Sequence, residues 1–239
     1  MIHLGLTHHL FRQLVQGKRL WGMGALSATA GFVAWISSSR RPVEDVIESY
    51  HVITTSVAAA TVSIAMLQMG AAVLRDERDG GTLPYLYLKP IPRWRFALSA
   101  WAAAAAGAGS AAVIGWSVGW VAMGLVTGSW TLALPALALY LAAAVGYTAV
   151  FVPIGYVFSR AILIGLAYVF VWEAVITRFV SGLAASSVWR TAVSIYADLA
   201  DLPAGALDGL GSVEPGVGGG LAKLAVTVAV GSAALYWAL

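Results

Sequence analysis

Long apolar runs separated by short polar ones set the pattern of this chain. Apolar stretches predict helices at about Leu20–Ser39, Val52–Leu74, Phe96–Val126, Leu132–Phe158, Ala161–Val180 and Leu221–Leu239. Runs of about eighteen or more such residues are the signature of transmembrane helices. At about 1.5 Å per residue, roughly twenty residues cross the hydrocarbon core, so each segment is long enough. The third and fourth exceed that length, which predicts tilt or extension beyond the bilayer. A spanning β-barrel would show short segments of alternating polarity instead. The expected fold class is an all-α integral membrane protein, a single transmembrane domain of six helices over residues 1–239.

Two amphipathic stretches lie outside these spans. His3 to Arg19 precede the first, too long and too amphipathic for a simple cleaved signal. Leu6, Leu10 and Leu14, beside Ile2, Phe11 and Val15, form one helical face, with His8, His9, Arg12 and Gln16 around the rest. Such a helix is expected in the inner membrane interface, either as a surface anchor or with its polar face toward a partner. Its adjacent histidines read as a solvated pair. The outer segment 181–220 carries Trp189, Ala192, Val193, Tyr196 and Leu199 at helical spacing. That spacing predicts a short helix dipping into the outer leaflet. Asp201-Leu202-Pro203 and Glu214-Pro215 mark turns beyond it. Within the third span, Gly115-x-x-x-Gly119, with Gly107 and Gly109 before it, permits close helix approach and reads as packing.

Composition agrees with the membrane reading: 60% of residues are hydrophobic and only 10% charged. A soluble chain of this length needs a much larger charged surface. Cysteine is absent, which removes disulfides, thiol nucleophiles and cysteine metal sites. The net charge of +3 matters less than its placement. Six spans put both termini on one side, together with Arg12, Lys18, Arg19, Arg75, Arg78, Lys89, Arg93, Arg95 and Arg160. The other side receives Arg40, Arg41, Arg178 and Arg190, with Lys223 just inside the last span, and most of the acidic residues. The positive-inside rule therefore expects both termini in the cytoplasm. The run ending at Leu239 has no basic anchor after it, so a short cytoplasmic tail is expected beyond it. No basic patch with exposed aromatics suggests nucleic acid.

The charge concentrates in one place. "RDERDGGTLPYLYLKPIPRWR", Arg75 to Arg95, holds eight charged side chains of the chain's 25. Arg75–Asp79 should continue the second span into water, and Gly80-Gly81 should free the backbone to turn. Thr82 is positioned to N-cap a short helix, with Pro84 allowed in its first turn. Leu83, Leu86 and Tyr87 share one face, and Lys89-Pro90-Ile91-Pro92 ends the helix. A two-turn helix does not hold its shape alone in water, so something must pack on it. That support comes either from a partner or from the chain's own membrane domain.

Glu77-Arg78-Asp79-Gly80-Gly81-Thr82-Leu83, followed by Leu86, Leu88, Pro90 and Arg93-Trp94, resembles the loop between the second and third spans of type-2 ABC exporter permeases. "YVFVWEAVITRF" and "WRTAVSIYADL" are similar, less sharply, to the fifth span and outer hairpin of a small six-span branch of that ABC-2-type family. The doubled glycine and Pro84-Tyr85 depart from the usual loop. The resemblance implies a coupling helix docking on a cytoplasmic ATPase, with Leu83, Leu86 and Tyr87 as its apolar knob. It implies Glu77 and Arg78 as an ionic rim, Gly81-Thr82 as the turn, and Pro90 with Arg93 as the return to the membrane. It also implies a re-entrant outer hairpin, two ATPase subunits, and a second permease copy or paralogue. ATP and Mg would be bound by the partner, with no cofactor in this chain.

The chain has no P-loop of its own: Gly17-Lys18 is followed by Arg19, and Arg12 stands where the first glycine is needed. His3, His8, His9 and His51 all lie outside or at the edges of spans, which disfavours intramembrane hydrolysis and metal ligation. Glu173, beside Trp172, is the one acidic residue inside a span. A membrane carboxylate is costly and invites a functional reading. It could be structural, satisfied by Arg178 and backbone donors of the outer segment; it could line a substrate path; or it could carry a proton. The expected function is ATP-driven export of an amphipathic or hydrophobic compound, such as a drug, antibiotic or lipid. A proton-coupled secondary transporter using Glu173, or a non-transporting membrane subunit, are the alternatives.

Overall fold

A computed structural model describes residues 2–38, 43–87, 91–203 and 216–239. Arg40, Arg41, Leu88, Lys89, Pro90 and Glu214-Pro215 lie outside these residues, as do the side chains of Leu86, Tyr87 and Arg178. Nine helical elements follow in order among them. They are α1 (Leu4–Val15), α2 (Lys18–Ser38), α3 (Val43–Asp79), α4 (Leu83–Tyr87), α5 (Arg93–Thr127) and α6 (Ala133–Val157), then α7, α8 and α9. Helix α7 opens at Ala161–Ala167, widens into π-helical turns over Tyr168–Ile176 and closes at Thr177–Phe179. A 3-10 segment, Ser181–Ser186, leads to α8 (Val188–Leu199), and α9 is Val217–Ala238. No strand occurs among the described residues.

Five of these helices, α2, α3, α5, α6 and α9, are long and apolar enough to cross a membrane. They coincide with five of the expected spans. The segment expected at Ala161–Val180 differs: its apolar helical stretch, Ala161–Ile176, is shorter than a span. The Thr177 hydroxyl bonds the Glu173 carbonyl at 2.8 Å in the same turns. At 37 residues, α3 is about 55 Å long and far exceeds the hydrocarbon thickness.

Lipid is as apolar as leucine, so helices in a membrane associate through close contact rather than by escaping water. Small residues supply that contact here. Gly115 and Gly119 of α5 pack onto Ser27 and Gly31 of α2, and a Cβ on Gly31 would lie 2.4 Å from Gly119 Cα. The glycine pair therefore meets a second small-x-x-x-small pair that the reading of α5 alone had not matched to it.

Helix α1 departs from expectation. Leu6, Leu10 and Leu14 are buried in the chain's own core, not offered to lipid. The His3 amide donates to Ser99 Oγ at 2.8 Å, and Leu14 fills the space left by Gly107. The helix thus runs along the first half of α5. An apolar stripe gains as much from a complementary helix groove as from acyl chains, and amphipathicity alone does not choose between them.

Helix α8 is likewise embedded. Trp189 and Tyr196 are buried, and Val188 packs on Gly146, near the middle of α6. Trp189 Nε1 donates to the Thr55 carbonyl at 2.9 Å, and Tyr196 Oη lies 2.6 Å from His51 Nδ1. Twelve residues give α8 a length of about 18 Å, roughly half a bilayer core, starting level with the centre of α6.

Candidate functional site

Two places bring candidate residues together. The first is the bracket formed by the end of α3, the short α4 and the start of α5. Helix α3 closes in a paired reverse turn: the Thr82 amide donates to the Glu77 carbonyl at 2.9 Å and the Gly81 amide to the Arg78 carbonyl at 3.1 Å. This is the Schellman arrangement, which needs a left-handed residue at its corner. Gly81 supplies it with φ +68°.

Thr82 precedes α4, yet its hydroxyl turns back to α3 and donates to the Glu77 carboxylate and carbonyl. The side chain expected to cap α4 locks the turn instead. Glu77, expected on an ionic rim, is only 2% exposed. Its carboxylate also meets His9 Nε2 at 3.1 Å, so His9 is partnered and not merely solvated. Beside it, Arg19 donates to Asp76 at 2.5 Å, and Arg78 donates to the Tyr156 carbonyl at the end of α6 at 2.8 Å. Four helices, α1, α2, α3 and α6, therefore brace the base of the loop.

Leu83, expected at the tip of the knob, packs inward and joins the chain's own core. The reason is local: α4 is only five residues long and does not hold its shape alone, so Leu83 turns into the core. Exposed instead are Tyr85, at 70%, and Trp94, over whose ring the Arg95 guanidinium sits 5.1 Å from the centroid. Arg93 opens α5 and is exposed. The Pro92 carbonyl accepts from Arg95 and Phe96, which starts the helix.

The second place is Glu173. Its Oε1 accepts from the Tyr168 hydroxyl at 3.0 Å and from the Val188 amide at 2.9 Å, while Oε2 accepts from the Ser187 hydroxyl. Ser187 in turn accepts from the Arg190 amide at 3.0 Å and caps α8. A carboxylate at the first turn of a helix satisfies its free amides and complements its dipole. Glu173 therefore acts as a second cap, supplied from α7, that pins α8. Backbone donors from the outer segment are the satisfaction foreseen for a structural carboxylate. Trp172 is only partly buried and does not line the cavity beside Glu173.

That cavity, of about 210 Å³, lies between α3, the π-helical turns and α8. Tyr147 borders it, fully buried and stacked on Phe151 at 5.5 Å with rings 4° apart. Sequence reading passed over Tyr147, treated Tyr85 only as a departure from the usual loop, and took His9 for one of a solvated pair. Tyr85 carried a signal, an aromatic beside a proline in a charged loop; Tyr147 sits in an unbroken apolar run and carried none. No group of three or more acidic or histidine side chains is arranged to hold a metal among the described residues.

No protein-family model, curated protein or solved structure matches this chain.

Proposed function

We propose that the chain is the permease subunit of an ATP-driven exporter in a prokaryotic plasma membrane. It would work with a second copy or paralogue and two cytoplasmic ATPase subunits that bind ATP and Mg. In this reading it makes six crossings, the fifth completed by the broken α7, with α8 re-entrant from the outside and both termini cytoplasmic. The cargo would be an amphipathic or hydrophobic compound. The observation that best supports the reading is the braced bracket. A short helix with an exposed aromatic tip joins the ends of two of the longest helices, and its base is tied to α1, α2 and α6. A lever transmits motion only when its base is rigid and its tip finds a partner, and exposed aromatics are the usual anchors of such contacts. The docking tip is then Tyr85 and Trp94, with Leu83 as the internal pivot and Arg93 beside it, and Leu86, Tyr87 and Pro90 lie between them in sequence. Co-purification with a P-loop ATPase, lost in a Tyr85→Asp/Trp94→Asp double variant that remains folded, is the expected result. Undiminished ATPase capture by that variant refutes the docking role.

The capped state of Glu173 gives less support to a proton carrier, because a proton taken up there would have to displace at least one of its three donors.

A further inference from the structure

Helix α9 carries one charge, Lys223, in its second turn. Among the described residues its side chain has neither a hydrogen bond nor an ion pair. Asp198, close to the start of the same helix, spends its carboxylate on the Val217 amide at 2.7 Å. A charge on a spanning helix is costly and is held where a counter-charge or a polar path meets it. Lys223 stands at one end of an open groove of about 730 Å³ between α6 and α9. Close contact makes the floor: Gly231 lets α9 rest on the Ala149 carbonyl, and a Cβ there would collide with it. Val226 and Val230 of α9 and Val157 and Phe158 of α6 stand exposed along the walls. From Lys223 to Ala234 the groove follows α9 for roughly 17 Å, close to the depth of one leaflet, about 15 Å. No acidic side chain lines it among the described residues. Its two hydroxyls have given away their protons: Thr227 donates to the Lys223 carbonyl at 2.9 Å and Ser186 to the Leu183 carbonyl at 2.6 Å. The side-chain donors left free in the groove are those of the Lys223 ammonium.

We propose that this groove holds an anionic phospholipid, its phosphate on the Lys223 ammonium and one acyl chain along α6 and α9. Charge selects the head. The groove brings one cation and no carboxylate, so a net negative head is favoured over a zwitterionic one, whose own cation finds no partner there. Direction selects the tail. A lysine side chain leans toward the start of its helix and lays its stem on apolar surface, which sets the head toward the membrane face where α9 begins. From there the apolar walls run inward over about the depth of one leaflet, the course of an acyl chain. Binding needs neither an ATPase nor a cargo, so it stands apart from the export reading.

The test is native mass spectrometry of the full chain released from nanodiscs that hold equal parts of phosphatidylglycerol and phosphatidylcholine with the same acyl chains. The parent should retain phosphatidylglycerol in preference. Lys223→Gln, at an exposed position, should lower that preference about fivefold, the worth of one lysine against anionic headgroups. Lys223→Arg should keep it. Val230→Trp, which fills the groove and leaves the lysine in place, should cut phosphatidylglycerol retention as far as Lys223→Gln does. Three results overturn the inference: equal retention of the two lipids by the parent, an unchanged preference in Lys223→Gln, or undiminished phosphatidylglycerol in Val230→Trp. Each is independent of ATPase capture, so failure here leaves the export reading to its own test.

Discussion

The Glu173 carboxylate accepts the Val188 amide at 2.9 Å, tying α7 to the first turn of α8 across fifteen positions of sequence. Val188 also packs on Gly146, so the tie sits level with the centre of the apolar helix α6. Removing the acceptor strands an amide and two hydroxyls together.

Glu173→Ala should therefore destabilise the protein by about 2–4 kcal/mol, the sum expected for a lost cap and its abandoned donors. Glu173→Gln, which keeps a carbonyl acceptor, should lose less than half as much. Thermal unfolding of both variants in one detergent checks the order, and a Gln variant as weak as Ala would refute the capping role.

Gly31 and Gly119 bring α2 and α5 to backbone contact, and the geometry is unequal. A Cβ on Gly31 would lie 2.4 Å from Gly119 Cα, while one on Gly119 finds its nearest neighbour, Gly31 Cα, at 3.3 Å. Gly31→Ala should cost about 1–3 kcal/mol, and Gly119→Ala distinctly less. Gly218→Ala and Gly219→Ala, with open space around them, should be neutral in the same assay.

The corner of the bracket depends on φ +68° at Gly81, and a side chain there meets no neighbouring atom. Gly81→Ala should therefore cost about 1 kcal/mol of local backbone strain and nothing in packing. Amide hydrogen exchange over residues 79–85 should speed up in Gly81→Ala and in His9→Ala. Exchange in α6 should not change in either.

Leu83 and Tyr85 stand two residues apart in α4 and should separate folding from docking. Leu83→Asp buries a charge in the core and should lower the unfolding temperature sharply. Tyr85→Asp, at an exposed position, should stay within about 0.5 kcal/mol of the parent while weakening ATPase capture. Loss of capture without loss of stability in Tyr85→Asp alone is the signature sought.

The lack of cysteine makes orientation directly measurable. A single cysteine at Ser129 should react with an impermeant maleimide added to intact cells, and one at Tyr85 only when the inner face is made accessible, as in inverted vesicles. Reaction of both from the same side contradicts the assigned topology.

The sequence alone was enough to locate five spanning helices, the turn at Gly80-Gly81 and the amphipathic α8, because hydropathy, glycine and period act over a few neighbouring residues. It also marked Glu173 as a residue requiring donors. What it left open was where each face turns. Leu6, Leu10 and Leu14 read as a lipid-facing stripe and Leu83 as an outward knob; both lie inward because Gly107 and the end of α3 offer a closer fit. His9 meets Glu77 across 68 positions, and Gly31 meets Gly119 across α2 and α5. Such pairs are decided by which helices come into contact. Periodicity states that a helix has a face, and only the assembled bundle supplies what that face is against.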